Sequence, residues 1–111
     1  HGAAAAFMGC SAFVGATETQ ILGAEGIDLF RAAAEGDIET SRRIQRRANA
    51  LGPIGSIGAT PAGLKAGMNL LGRPGGHCRT PIPDPTSEQI AMVEKVLDSL
   101  DLFNSPACRR G

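Results

Sequence analysis

Four stretches of the chain repeat apolar residues at the spacing of an amphipathic helix. Residues 24–35 carry Ile27, Phe30 and Ala34 at positions i, i+3 and i+7, and Gly36 is placed to end that helix. The apolar stripes of the other three are Ile44, Ala48 and Leu51, then Leu64, Met68 and Leu71, then Ile90, Val93, Leu97 and Leu100. The pattern therefore predicts four amphipathic helices, preceded by the Ala-rich end of an earlier helix at residues 3–8.

The predicted helix boundaries have local chemical causes. Asp37 is placed to cap the second helix, and Pro61 starts the third at the first position, where its missing N–H is harmless. Thr86 and Gln89 form a capping box at the start of the last helix. Loops are predicted at residues 18–23, 52–59 and 73–85, the last of which is rich in proline.

The segment 11–17, with the sequence SAFVGAT, interrupts the helical pattern. It is short and apolar, lies between glycines and has Phe13 and Val14 at its centre, which favours a strand buried on both faces. A buried helical turn is the competing interpretation. A lone strand has no ladder partners, so we expect this one to pair with strands outside the sequence. The start at His1 and the lack of Trp and Tyr also indicate a piece of a larger fold.

Composition narrows the class of protein. Hydrophobic residues make up 42% of the 111 residues and charged residues 20%, which is typical of a globular chain. The formal net charge of zero gives no indication of a nucleic-acid or membrane-surface partner, and no apolar run is long enough to span a bilayer. Cys10, Cys78 and Cys108 are odd in number and widely spaced, which favours reduced thiols in a cytoplasmic protein.

Three stretches, taken in order, resemble one enzyme family. They are FRAAAEGDIETSRRIQRRAN, TPAGLKAGMNLLG and GGHCRTPIPDPTSEQ, the last followed by the closing amphipathic helix. They contain an A-x-x-G-D junction at residues 33–37, a helix with Pro61, Lys65 and Gly72, and an R-x-P-I loop at residues 79–82. Their order and spacing resemble the C-terminal region of the dihydrodipicolinate synthase / N-acetylneuraminate lyase family.

The resemblance implies an α/β fold, the C-terminal part of a (β/α)8 TIM barrel followed by a three-helix C-terminal extension. Residues 1–36 would hold the last barrel strand and helix, residues 37–104 the extension, and residues 105–111 a tail. A whole barrel takes about 250 residues, so roughly two-thirds of such an enzyme would lie upstream of His1.

The resemblance also implies the chemistry of the parent enzyme. A barrel lysine would form a Schiff base with pyruvate or another 2-oxo acid, and a tyrosine would move protons. Both are expected upstream, so the resemblance implies no catalytic residue, no metal and no cofactor in this chain, which alone would be inactive. It further implies a cytoplasmic homo-oligomer, either a dimer or a tetramer, whose partner is a small 2-oxo acid.

Substrate contacts in this chain are expected at the end of the presumed last strand. The family can line its pocket there, which makes Val14 and Gly15 candidate substrate-binding residues, with plain barrel packing as the alternative. Glu18 is a candidate acid, base or specificity contact, although a solvated loop carboxylate is commoner. Glu18 and Thr19 stand where the family usually has Ala-Asn or Thr-Asn, so the resemblance leaves the subfamily open.

The remaining candidates have simpler interpretations. Lys65 is expected to be structural, Lys95 an ordinary helix residue, and Arg79 a loop anchor through hydrogen bonds. His77 and Cys78 cannot make a four-ligand metal site by themselves. The second helix carries a basic cluster that comprises Arg42, Arg43, Arg46 and Arg47. Glu39 and Arg43 can pair within that helix. We expect the cluster to form a solvated face or a subunit contact.

A second hypothesis belongs to a different functional class. The same apolar stripes could belong to a small all-helical protein-interaction module without catalysis. That hypothesis predicts a helical segment at residues 11–17 and a chain that folds cooperatively by itself.

Overall fold

The computed structural model describes residues 1–105, and helices connected by loops make up this part of the chain. The α-helices are α1 Gly2–Phe7, α2 Thr17–Leu22, α3 Ala24–Glu35, α4 Ile38–Ala50, α5 Ala62–Leu70 and α6 Ser87–Ser99. Short 3-10 helices span Gly52–Ser56 and Leu102–Asn104. No β-strand occurs within residues 1–105. Over the same residues, no helix combines the length and apolar character needed to cross a membrane.

The chain divides into two compact units, one of residues 1–49 and one that begins at Ala50. The predicted division at residues 36 and 37 refers to a complete barrel and stays a prediction. The predicted tail, apart from Ser105, and Cys108 lie outside the described residues, whereas Cys10 and Cys78 are free thiols.

Helix α3 is the centre of the first unit, where it packs against α1 and α2. Its predicted bounds are confirmed, and Gly36 ends it in the left-handed conformation at φ 81°. The predicted buried face was wrong, because Ile27 is 59% exposed. The residues that α3 buries are Gly26, Leu29, Ala32 and Ala33.

Small residues explain this difference in the buried face. A Cβ atom on Gly26 would lie 3.1 Å from both the carbonyl oxygen of Glu18 and the Cα of Thr19. Helix α2 therefore approaches the backbone of α3 closely at a position where a larger side chain would not fit. The whole of α2 was missed by the sequence prediction, which placed a loop at residues 18–23.

Helix α4 matches its predicted position, with Ile44 and Ala48 buried. The Asp37 carboxylate caps it by accepting a hydrogen bond from the Thr40 N–H at 3.0 Å. Hydrogen bonding to Thr40 lowers the pKa of the Asp37 carboxyl below its ordinary value. The predicted capping role of Asp37 is thus confirmed.

The arginines of α4 pair differently from the expectation. Arg43 lies 3.5 Å from the Glu25 carboxylate of α3, and the Arg47 Nε lies 3.0 Å from the same group. The predicted pair between Glu39 and Arg43 was wrong, because Glu25 takes the place of Glu39 as the acceptor. Arg43 and Arg47 therefore join α4 to α3, whereas Arg42 and Arg46 are exposed on α4.

In the second unit, a 3-10 helix occupies most of the stretch predicted as a loop at residues 52–59. Helix α5 begins at Ala62, so Pro61 is the N-cap and not the first helical residue. Of the predicted stripe on α5, Leu71 is buried but Leu64 and Met68 are only half-buried. The fully buried positions inside α5 are Ala62, Gly63, Ala66 and Gly67.

Helix α6 has the predicted capping box. The Thr86 side chain accepts a hydrogen bond from the Gln89 N–H at 3.2 Å, and the Thr86 N–H donates to the Gln89 side chain at 2.9 Å. Val93 and Leu97 are completely buried against α5 and its surroundings, as the stripe predicted. These contacts make α5 and α6 the core of the second unit.

Candidate functional site

The segment at residues 12–15 adopts no regular secondary structure. Val14 is 95% exposed, and Phe13 is half-buried with its ring near Gly2 of α1. Within residues 1–105, the backbone groups of Ala12, Phe13 and Val14 make no hydrogen bonds. The predicted strand is thus absent from the described residues, because no neighbouring strand completes a ladder. The competing interpretation, a buried helical turn, was also wrong.

A tight turn joins this segment to α2. The Thr19 hydroxyl donates to the carbonyl oxygens of Gly15, at 2.9 Å, and of Ala16, at 3.2 Å. A Cβ atom on Gly15 would lie 2.6 Å from the Thr19 Cγ2 and 3.0 Å from a carboxylate oxygen of Glu18. The turn therefore favours glycine at position 15 and brings the half-buried Glu18 beside it. The substrate-binding role of Val14 and Gly15 stays a prediction.

The two lysines of the sequence lie in the second unit. Lys65 is half-buried, and its ammonium group donates to the carbonyl oxygen of Gly75 at 2.7 Å. Lys95 is an exposed residue of α6. Lys65 therefore ties α5 to the proline-rich loop, which is the structural role expected of it.

Two further side chains hold the same loop. The Asn69 amide donates to the carbonyl of Gly76 at 3.1 Å and accepts from the Gly76 N–H at 2.9 Å. The Asp84 carboxylate accepts from the Cys78 N–H at 2.7 Å, and its second oxygen lies 2.8 Å from the His77 Nδ1. The sequence prediction missed both anchors, although a short acid between two prolines is a recognisable signal for a turn.

These hydrogen bonds determine the electrostatics of Asp84. The bond from the Cys78 N–H, and then the one with His77, lower the pKa of the Asp84 carboxyl below its ordinary value of 3.8. Within residues 1–105, no group of three His, Cys, Asp or Glu side chains is placed to hold a metal ion. Asp84 and His77 therefore form an anchor for the loop.

Arg79 does not anchor the loop, and the prediction that it would do so was wrong. Its side chain is exposed and makes no hydrogen bond or ion pair within residues 1–105. Its backbone carbonyl oxygen accepts a hydrogen bond from the Ile82 N–H at 3.0 Å. Lys65, Asn69 and Asp84 do the anchoring instead.

Comparison with known sequences extends over most of the chain. The family model for the dihydrodipicolinate synthetase family matches residues 1–100. A 4-hydroxy-tetrahydrodipicolinate synthase of Methanocaldococcus jannaschii is 32% identical over 79 residues, which are 71% of this chain and 27% of that protein. The enzyme of the same name from Heliobacterium modesticaldum is 30% identical over 84 residues, covering 76% of this chain and 28% of that protein.

A solved structure agrees with the sequence comparisons. A crystal structure of dihydrodipicolinate synthase matches 90% of this chain and 34% of its own chain, with a TM-score of 0.78 and 27% sequence identity. The chain thus spans about a quarter of the length of the curated relatives it matches. Sequence and backbone agree, and the chain belongs to the dihydrodipicolinate synthetase family.

Proposed function

We propose that this chain forms the last strand and helix of a TIM barrel, together with the helical extension, in a Schiff-base lyase acting on pyruvate or another 2-oxo acid. The observation that carries the proposal is that residues 12–14 have no backbone hydrogen-bond partner within residues 1–105, in a chain that matches its family over residues 1–100. A barrel would supply the strands on both sides that this segment lacks.

Exposed apolar side chains of the first unit support the same proposal. Large apolar side chains gain stability when contact with further polypeptide removes them from water. The large apolar residues of this unit that are more than half exposed are Phe7, Met8, Val14, Ile27 and Ile38. Neighbouring barrel strands and helices would cover such side chains in the parent.

The lysines of the chain support placing catalysis elsewhere. A Schiff-base lysine acts as a nucleophile through its neutral amine, which requires burial or a neighbouring cation. Lys95 is exposed, and the ammonium group of Lys65 is engaged with the Gly75 carbonyl. The sequence contains no tyrosine. We therefore assign the catalytic lysine and tyrosine to the barrel outside this sequence.

Within this sequence, the proposed contribution to the reaction is substrate binding at the turn around Gly15. In a TIM barrel the carboxyl ends of the strands face the substrate, and residues 14–15 end the proposed strand. Val14 would supply apolar contact there and Gly15 its backbone. The parent is proposed to be a cytoplasmic homo-oligomer whose reaction requires no cofactor.

Reductive trapping tests this proposal. The chain alone and the longer polypeptide that carries it are each treated with pyruvate and borohydride, and adducts are located by peptide mass mapping. We expect no adduct on the chain alone and an adduct on a lysine outside this sequence in the longer polypeptide. Lys65→Arg and Lys95→Arg are the matched controls and should leave that adduct in place. An adduct on Lys65 or Lys95 contradicts the proposal.

A far-UV circular dichroism melt separates this proposal from the hypothesis of an independent interaction module. The module requires the chain to unfold in one sharp transition. A chain that lacks its barrel neighbours should unfold gradually. A sharp transition of the isolated chain would favour the module.

A further inference from the structure

Three basic residues are among those that line a small depression beside the proline-rich loop. It has a volume of about 260 Å³, and no aspartate or glutamate lines it. A water molecule occupies about 30 Å³ in the liquid, so a small ion with part of its hydration shell would fit. The lining residues are Pro61, Lys65, His77, Cys78, Arg79 and Ile82.

Lys65 keeps donors available for a ligand. An ammonium group has three N–H donors, and the Gly75 carbonyl takes one of them. Within residues 1–105, no carboxylate forms an ion pair with Lys65. Its positive charge is therefore fixed in position by a neutral acceptor and is not neutralised.

Arg79 presents a second uncompensated charge from a fixed backbone. The Ile82 N–H donates to its carbonyl, and the preceding residue, Cys78, is held by Asp84. Its guanidinium group makes no side-chain hydrogen bond within residues 1–105. A guanidinium group offers paired donors that match the oxygens of a phosphate or carboxylate.

His77 completes the lining with an oriented ring. Its Nδ1 lies 2.8 Å from the Asp84 carboxylate, which only accepts hydrogen bonds, so Nδ1 carries the hydrogen and Nε2 becomes a donor when the ring is doubly protonated. Both oxygens of Asp84 are engaged, one with His77 and one with the Cys78 N–H. The nearest carboxylate thus orients the cluster without lining the depression.

We propose that Lys65 and Arg79 bind a small divalent oxyanion of the phosphate class, and that His77 adds a donor when its ring is doubly protonated. The donor set combines the point charge of Lys65 with the guanidinium fork of Arg79, at a depression whose lining residues include no carboxylate among the described residues. The site lies wholly in the second unit and involves none of the residues proposed to face the 2-oxo acid. An experiment can therefore refute this site without refuting the proposed function, and the reverse also holds.

Titration calorimetry with inorganic phosphate, carried out on the longer polypeptide that carries this chain, tests the site. We expect saturable binding that Arg79→Gln weakens roughly tenfold, the loss expected when a charged hydrogen-bond donor is removed. The matched control is Lys95→Gln, which removes the same charge from an exposed position on α6 and should change the Kd by less than about twofold. Because the Arg79 side chain bonds to nothing in residues 1–105, its substitution should preserve the helical circular dichroism signal.

Amide chemical shifts of the unmodified chain provide a measurement that does not depend on any variant. Phosphate should move the amide signals of residues 75–82 and of Lys65, with saturation at the calorimetric Kd. Absence of saturable binding at millimolar phosphate overturns the proposal. Equal weakening by Arg79→Gln and Lys95→Gln also overturns it, because that result would indicate general attraction to positive charge.

Discussion

The ammonium nitrogen of Lys65 lies 2.7 Å from the carbonyl oxygen of Gly75. The loop runs so close to α5 at this point that a Cβ atom on Gly75 would lie 2.7 Å from the Asn69 side-chain oxygen. Asn69 then holds the next residue, Gly76, by two hydrogen bonds. One helix face thus supplies the side chains that fix the first half of the loop.

Replacing Lys65 with methionine should loosen this loop. The variant keeps the apolar stem but leaves the Gly75 carbonyl without its donor, which should cost about 1 kcal/mol at a half-buried site. Hydrogen exchange of the Gly76 amide should therefore become about fivefold faster. Lys95→Met is the control and should leave that amide unchanged. Equal acceleration in both variants would show that the bond contributes nothing.

Removing the capping box should fray the start of α6. Thr86→Ala deletes the acceptor of the Gln89 N–H, which should lower the local stability of the helix by about 1 kcal/mol. Exchange of the Gln89 amide is the measurement. Ser87→Ala, at the neighbouring exposed position, is the matched control. Unchanged protection of Gln89 in the Thr86 variant would contradict the role of this cap.

Gly63→Ala should destabilise the second unit, although alanine is the better helix former. A Cβ atom at this position would collide with the Ile54 carbonyl oxygen and would lie 2.7 Å from that of Ile57. We expect a loss of about 1–3 kcal/mol, seen as faster exchange in α5. At an open helix position the same change would stabilise the fold by about 0.5–1 kcal/mol. A stabilising effect of Gly63→Ala would therefore contradict the close contact.

The Asp84 carboxyl should titrate below 3.8, its ordinary value. Its pKa is lowered in the folded chain, so its contribution to the loop is complete above that value and is lost as the pH falls through the lowered one. The carboxyl carbon shift in an NMR titration measures the midpoint. His77→Gln removes the weaker of the two lowering bonds and should move the midpoint part of the way back. A midpoint at or above 3.8 would be contrary to this expectation.

Helix ends were predictable because their causes are local. Gly36 ends α3, and the pairing of Thr86 with Gln89 starts α6, both within a few residues of the signal. The six-residue helix α2 carries no such signal, because Ala16 and Gly23 provide no side-chain cap. Its formation depends on contact with α3.

The buried faces of the helices were harder to predict, because a pattern of apolar residues gives most weight to large side chains. In α3 and α5 the closest contacts are made by small residues, as at Gly26 and Gly63. The larger side chain of Ile27 is exposed, and that of Met68 is only half-buried. The pattern of apolar positions therefore identified α3, α4, α5 and α6 but selected the wrong face where backbones approach closely.

The prediction of the candidate site rested on the family resemblance more than on composition. Val14 and Gly15 were chosen from the family, whereas the geometry around them comes from Thr19 and Glu18. Asp84 could have been found from its place between two prolines, but its partner His77 could not. They lie seven positions apart in the sequence, and only the folded loop brings them together.

The backbone amide and carbonyl groups of Ala12, Phe13 and Val14, which have no partner within residues 1–105, also determine how the chain should behave at high concentration. An apolar segment with open hydrogen-bonding groups is a template on which another copy can add edge to edge. The formal net charge of zero provides no overall repulsion between copies. Fibre growth should therefore accompany purification of the isolated chain, and a lysine in place of Val14 should suppress it.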